Sequence, residues 1–181
     1  MNNEQRIAQH RRLAESYRNA YLRQGVQDGQ EYTDDNGHEA WKFAPDAIYT
    51  SPPYFTGEEV ILMSEAVVDT AKAATMEAKA YSLVFPDWKP TSFKYWPAEN
   101  GVVWKTRWQG TTVDGTTMGF YSYSFLETNE DGEITRWETH VNDEYTPFLQ
   151  VAIGGASGPF HGTTAYIDAL HRCLDKAGVS L

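Results

Sequence analysis

The chain has 181 residues, 41% of them hydrophobic and 14% aromatic, with 6 Trp and 11 Tyr; this length suits one packed domain, and such a composition rules out a disordered chain. A formal net charge of -10, unbroken by any Lys/Arg cluster, excludes a phosphate-binding stripe and with it nucleic acid as a partner. Cys173 is the single cysteine, the start from Met1 to Arg12 is polar, and no apolar run approaches the ~20 residues of a membrane helix, so the expectations are no disulfide, no signal peptide, no membrane and a cytoplasmic location.

Taken in chain order, Ile7, Leu13, Ala14, Tyr17, Ala20 and Tyr21 recur at three- and four-residue steps, which predicts an amphipathic helix over Glu4 to Arg23 in which His10 reads as solvated. Gly25 and Gly29 stop it. The acidic stretch from Asp28 to Gly37 reads as a loop, Glu39 to Phe43 as a short helix ended by Pro45, and Ala47 to Thr50 as the start of an extended segment. Ser51-Pro52-Pro53 breaks the pattern. From Gly57 a long, alanine-rich helix runs through Val60, Met63, Val67, Ala71, Ala74 and Ala78. Beyond Phe85-Pro86-Asp87-Trp88 the period changes to two and predicts three strands, Val102 to Val113, Thr117 to Thr128 and Glu133 to Asn142, joined by turns at Asp114-Gly115 and Asp131-Gly132. Residues 154–181 form a tail with a last amphipathic helix from about Thr163 to Lys176, placed to cover a pocket. Helices first and a meander afterwards is an α+β pattern, a curved antiparallel sheet packed on N-terminal helices within one domain, 1–181.

Alternation puts Val102, Trp104, Thr106 and Trp108 on one face of the first late strand, opposite Lys105, Arg107 and Gln109. The same counting groups Tyr121 with Tyr123 and Phe125, and Trp137 with Thr139 and Val141. With these rows facing inward, the sheet lines a hollow with rings and hydroxyls that suits a small aromatic ligand. Phe120 and Leu126 then fall on the outer face, where they predict a homodimer.

The layout resembles the nuclear transport factor 2-like, SnoaL-like superfamily, nearest in motif to the phenazine biosynthesis A/B proteins: Phe85-Pro86-Asp87-Trp88, the hairpin Asp131-Gly132-Glu133-Ile134, Asn142 and Pro147-Phe148-Leu149-Gln150 all match, over about residues 75 to 154. The resemblance implies a cone-shaped, often dimeric fold that isomerises, dehydrates, cyclises or cleaves small molecules in one deep pocket without a cofactor. Where the phenazine proteins place a substrate-serving histidine and glutamate, this chain has Glu77 and Thr139. A weaker similarity to ketosteroid isomerase sets Tyr17 at the position of the oxyanion-donating tyrosine and Ser51 at that of the aspartate base.

Glu77 and Tyr81 stand four apart on one helical face, and a glutamate in an apolar pocket has its charged form disfavoured, which suits general acid–base work near neutral pH. His140, beside Asn142 on the last strand, is the rival proton carrier, although its parity with Thr139 turns it outward unless a bulge re-aims it. His38 and Trp41 stand at the expected pocket mouth, with Tyr49 on the extended segment. No HxxH, HExxH, P-loop or GxGxxG pattern occurs, so neither a metal nor a nucleotide cofactor is expected. The reading is a cofactor-free lyase that removes water or a small carbonyl fragment from a hydroxylated aromatic compound: Tyr17 and Tyr81 hold oxygens, Glu77 or His140 moves the proton, and Trp41, Trp104, Trp108 and Trp137 stack on rings. Deformylating lyases of lignin-derived aromatic dimers in the same superfamily supply an analogy. The alternatives are a cyclase or isomerase of a polyketide-like or phenazine-like pathway, and a protein that binds an aromatic metabolite without turning it over.

Overall fold

The computed structural model describes residues 1–23, 42–50, 61–62, 76–153 and 163–179. Their order is α1 (Asn3–Arg23), β1 (Phe43–Thr50), β2 (Ile61–Leu62), the helical residues 76–84 (α2), β3 (Lys89–Pro97), β4 (Gly101–Thr111), β5 (Thr117–Thr128), β6 (Ile134–Val141), α3 (Tyr145–Ala152) and α4 (Thr163–Lys176). The fold is α+β, with a curved, unclosed sheet in the strand order β2-β1-β6-β5-β4-β3.

Alternating β-branched and aromatic residues form the meander β4-β5-β6, and both Asp-Gly turns fall where expected, with Gly115 and Gly132 at φ 87 and 83. Such angles are open to glycine at little cost. β1 then adds to β6 in parallel, so the sheet is mixed rather than purely antiparallel. Register breaks occur between Pro90 and Ser92, between Glu127 and Thr128, and between Phe43 and Ile48. Extra residues of this kind bend a strand and increase its twist, which suits a sheet that curls over its helices.

Leu13, Ala14 and Tyr17 of α1 are buried, and the helix lies over β3 and β4, where the Tyr95 hydroxyl donates to Glu15 at 2.6 Å. His10 is fully buried rather than solvated. Its Nδ1 donates to the Ala98 carbonyl at 2.7 Å, its Nε2 meets the Thr128 hydroxyl at 2.7 Å, and burial lowers its pKa. A histidine among polar neighbours looks wet in a linear reading; here α1 carries it onto the β3–β4 and β5–β6 turns, which use both ring nitrogens.

Four further elements differ from the expectation or add to it. Phe43 opens β1 instead of closing a helix, and Ile61–Leu62, read as helix, pairs with Tyr49 and Ile48 as the short strand β2. β3 went unread because Pro90 and Pro97 argue against a strand; both are tolerated at a sheet edge, where one row of N–H groups has no partner to serve. The Pro147-Phe148-Leu149-Gln150 segment lies in a helix, α3, with the proline in its first turn.

Candidate active site

The floor of the site is the inner face of β4, β5 and β6. Val102, Trp104, Thr106 and Trp108 are buried on β4, as expected, and β5 answers with Phe120, Ser122, Ser124 and Leu126. Register confirms the shared face, with Trp108 opposite Phe120, Thr106 opposite Ser122 and Trp104 opposite Ser124. On β6, Trp137 is buried, and Thr139 stands opposite Ser124 with their hydroxyls 3.0 Å apart. Small hydroxyl side chains thus occupy the middle of the floor while rings stand to either side.

Those rings form two groups. Trp104 packs against Tyr17 at 4.6 Å between centroids and against Trp137 at 6.0 Å, and Tyr49 meets Trp137 edge-on at 5.6 Å. The second group gathers on the Phe85-Pro86-Asp87-Trp88 segment. Trp88 stacks on Phe148 at 4.7 Å and on Trp108 at 5.7 Å, and Phe85 stacks on Phe148 at 5.1 Å. The Asp87 carboxylate accepts the Thr111 N–H at 2.5 Å, which ties the segment to the end of β4 and lowers the carboxyl pKa. The motif is therefore a packing hub that sets the height of α2 above the sheet.

From α2, Glu77 and Tyr81 reach the same spot, as their four-residue spacing predicts. The Tyr166 hydroxyl, on α4, donates to Glu77 Oε1 at 2.8 Å. That hydrogen is then committed, so the Tyr81 hydroxyl, 2.7 Å from Tyr166, is the donor of the next bond. Burial of the Glu77 carboxyl raises its pKa to about 7, against a smaller opposing effect of the Tyr166 hydrogen bond. Burial also lifts Tyr81 well above the ordinary phenol value, helped by Tyr145 and Glu77 nearby. Tyr145, the first residue of α3, is 6% exposed; its pKa is raised by burial and by the Glu77 carboxyl, and Tyr81, Tyr166 and Tyr49 stand around its hydroxyl. The result is one carboxyl poised between its two forms among a set of phenols.

Several residues proposed for the site lie elsewhere. Tyr121 and Tyr123 face outward, with Lys105 over the Tyr121 ring at 4.0 Å and the Tyr123 ring at 5.2 Å, and Phe125 is 40% exposed on the same side. Phe120 and Leu126, read as outward, are the buried pair. The whole of β5 is inverted relative to the reading because it carries rings on both faces. His140 stands opposite Tyr123, is exposed, packs edge-on to Phe125 and sits 3.7 Å from Glu138, so it is an outer-face residue and no proton carrier for this site. Asn142 accepts the Tyr121 N–H and donates to Glu144, pinning the exit from β6. Tyr17 packs with Trp104 and Phe93 rather than in the Glu77 group, and Trp108 gives its indole N–H to Ser122 at 2.9 Å. His38, Trp41 and Ser51 lie outside the described residues.

Sequence reasoning missed Tyr145 and Tyr166. Tyr166 had a signal, since it sits in the apolar stripe with Ile167, Leu170 and Leu174, where a phenol needs a buried partner. Tyr145 had none. Among the described residues no group of three or more His, Cys, Asp or Glu side chains converges, and no helix is long and apolar enough to cross a membrane, which says nothing of a β-barrel.

No family model and no curated protein matches the chain. The solved structures similar to it include SnoaL-like, nuclear transport factor 2-like, phenazine-biosynthetic and ketosteroid-isomerase-like proteins. A protein described as a SnoaL-like polyketide cyclase from Jannaschia sp. CCS1 is 11% identical at a TM-score of 0.48, covering 82% of this chain and 95% of its own. A phenazine biosynthesis-related protein from Pseudomonas aeruginosa is 18% identical at a TM-score of 0.48, covering 83% and 92%. A steroid delta-isomerase from the same organism is 16% identical at 0.37, covering 75% and 76%. Likenesses of this size concern the path of the chain and carry nothing about its reaction.

Proposed function

We propose that the protein is a cofactor-independent lyase that eliminates water or a small carbonyl fragment, such as formaldehyde, from a hydroxylated aromatic small molecule, a lignin-derived dimer being one candidate. The observation that supports it is Glu77, held by Tyr166 among phenols with a pKa of about 7, so that both its forms are populated near neutral pH. In the reaction, the carboxylate takes a proton from a substrate C–H or O–H. The freed electron pair forms a new C=C or C=O bond as the next C–O or C–C bond breaks, the leaving group departs with the pair of that bond, and the same proton, or one relayed through Tyr166 and Tyr81, neutralises the leaving oxygen or the new carbanion. Such a step is redox-neutral. Trp108 and Trp88, 5.7 Å apart, and Trp104 and Trp137, 6.0 Å apart, supply two ring-rich walls on either side of the hydroxyl floor, which fits a substrate with two rings.

The test is turnover of hydroxylated mono- and diaryl compounds, with products identified by mass spectrometry. Glu77→Gln is expected to lower kcat by about 10²–10⁴ while leaving KM close to the wild-type value. Wild-type kcat in that variant would remove Glu77 from the mechanism. An isomeric or cyclised product in place of a released fragment would instead favour the cyclase or isomerase alternative.

A homodimer paired through the outer sheet face belongs to the same proposal. Trp96 is 54% and Phe125 40% exposed there, Lys94 and Lys105 stand to one side of β5, and Glu127 and Glu138 stand to the other or along it. A two-fold axis running along β5 would lay lysines of one copy over glutamates of the next. Light scattering should give twice the chain mass at micromolar concentration, and Phe125→Glu should return it to the monomer.

A further inference from the structure

Of the three phenols Tyr81, Tyr145 and Tyr166 gathered at Glu77, one hydroxyl is left over. Tyr166 donates to Glu77 and Tyr81 donates to Tyr166, so both have their hydrogens placed. The Tyr145 hydroxyl is shut off from solvent and has no hydrogen bond of good distance and angle, although the hydroxyls of Tyr81 and Tyr166 lie close enough to act on it as weak partners. Its ring is firmly held, 4.7 Å edge-on from Phe120, at the start of a helix whose Phe148 and Leu149 are buried. A buried phenol without an acceptor is a liability for stability, and a phenylalanine would fill the same space without it. Folding therefore does not account for the oxygen.

We propose that Tyr145 is a catalytic residue, whose hydroxyl donates to a carbonyl or phenolate oxygen of the aromatic substrate while Glu77 carries the proton. The assignment rests on the acid–base reading of Glu77 and gives that reading its electrophilic side. When the base removes a proton, negative charge collects on an oxygen of the substrate, and a fixed O–H aimed at that oxygen stabilises it more than it stabilises the uncharged ground state. The role was expected of Tyr17 or Tyr81. Tyr17 belongs to the other ring group, and the Tyr81 hydrogen is already spent on Tyr166. The ligand class follows from the donor. A phenol O–H offers one hydrogen and no formal charge, and its neighbours contribute one carboxyl, which fits a single carbonyl or phenolate oxygen better than a carboxylate or phosphate group.

Two measurements on the full-length protein test the assignment, and neither needs the natural substrate. In the first, thermal unfolding is compared across single variants. Tyr145→Phe should unfold at the wild-type temperature or about 2–4 °C above it, whereas Tyr81→Phe and Tyr166→Phe should both unfold lower, because each removes a hydrogen bond that is present. A Tyr145→Phe protein that unfolds several degrees lower would show that the hydroxyl serves the fold and would overturn the proposal. In the second, 4-nitrophenol is titrated, its absorbance reporting the bound phenolate. The wild-type protein should bind it, Tyr145→Phe should weaken binding by about tenfold, the loss expected for one hydrogen bond to a charged oxygen, and Glu77→Gln should bind it at least as tightly as wild type. Equal affinity in wild type and Tyr145→Phe would remove Tyr145 and leave the role of Glu77 standing. Binding by none of the proteins would overturn the donor assignment, whereas a fall confined to Glu77→Gln would transfer the oxygen contact to the carboxyl.

Discussion

The two faces of β5 differ in a way that its composition conceals. Phe120, Ser122, Ser124 and Leu126 look inward, and Tyr121, Tyr123 and Phe125 look out, so the outer face is the more aromatic of the two. Inside, the rings come from β4, β6 and the helices, and β5 contributes the small groups that leave room between them. Outside, the tyrosines support Lys105 and Arg107, whose guanidinium lies 4.8 Å from the Tyr121 ring and pairs with Glu144. An aromatic side chain is a poor marker of the interior when a cation can shelter over its face. The run of small hydroxyl groups across strands, Ser122 opposite Thr106 and Ser124 opposite Thr139, marks the inner face better.

Substitutions can break this contrast or sharpen it. The largest effect is expected at Trp88, the hub of the inner rings: Trp88→Ala should cost about 3–5 kcal/mol of unfolding free energy in urea, against about 0.5 kcal/mol or less for Trp96→Ala outside. Next comes the pH response of the two carboxyls. Glu77 has its pKa raised from the 4.5 of an exposed glutamate to about 7, so the folded state holds a proton that the unfolded chain releases, and stability should fall as pH rises from about 4.5 to 7 and level off above. Glu77→Gln should therefore exceed wild type by up to about 3 kcal/mol at pH 8 and lose that advantage by pH 5. Glu144, on the outer side, has its pKa lowered by Arg107 and then Asn142, and works in the opposite sense: its contribution is present above its unfolded value and is lost on acidification. Ser124→Phe, which would make the inner face as aromatic as the outer, should cost about 1–3 kcal/mol by overpacking and abolish ligand binding, whereas Phe125→Ser should leave binding intact. Lys105→Met should cost about 0.5–1 kcal/mol, measurable as a shift of the urea midpoint.

How far these faces could be read from the chain depended on what each residue had to choose between. On β4 the alternation of tryptophan with lysine and arginine leaves one sensible inward face, and Trp104, Thr106 and Trp108 are found there. Glu77 and Tyr81 were legible for a comparable reason, since a four-residue step on a helix admits one arrangement. On β5 either face could have been buried, because Tyr-Ser-Tyr-Ser-Phe-Leu offers rings at one parity and serines at the other, and the choice is made by the strands beside it. Tyr145 was invisible as a site residue and Tyr166 was marked only as a buried phenol in need of a partner, because their meeting with Glu77 depends on where α3 and α4 dock, a tertiary fact. The short strand β2 and the edge strand β3 were hidden by an apolar run that fits a helix equally well and by two prolines.

The strand β3 that escaped reading also governs how the molecule meets other chains. Its edge carries Lys89, Pro90 and Pro97, a charge that disfavours pairing with an identical edge and ring nitrogens that have no hydrogen to give. An incoming peptide meets gaps in the ladder near both ends of the strand, which disfavours fibril growth by edge-to-edge stacking on that flank.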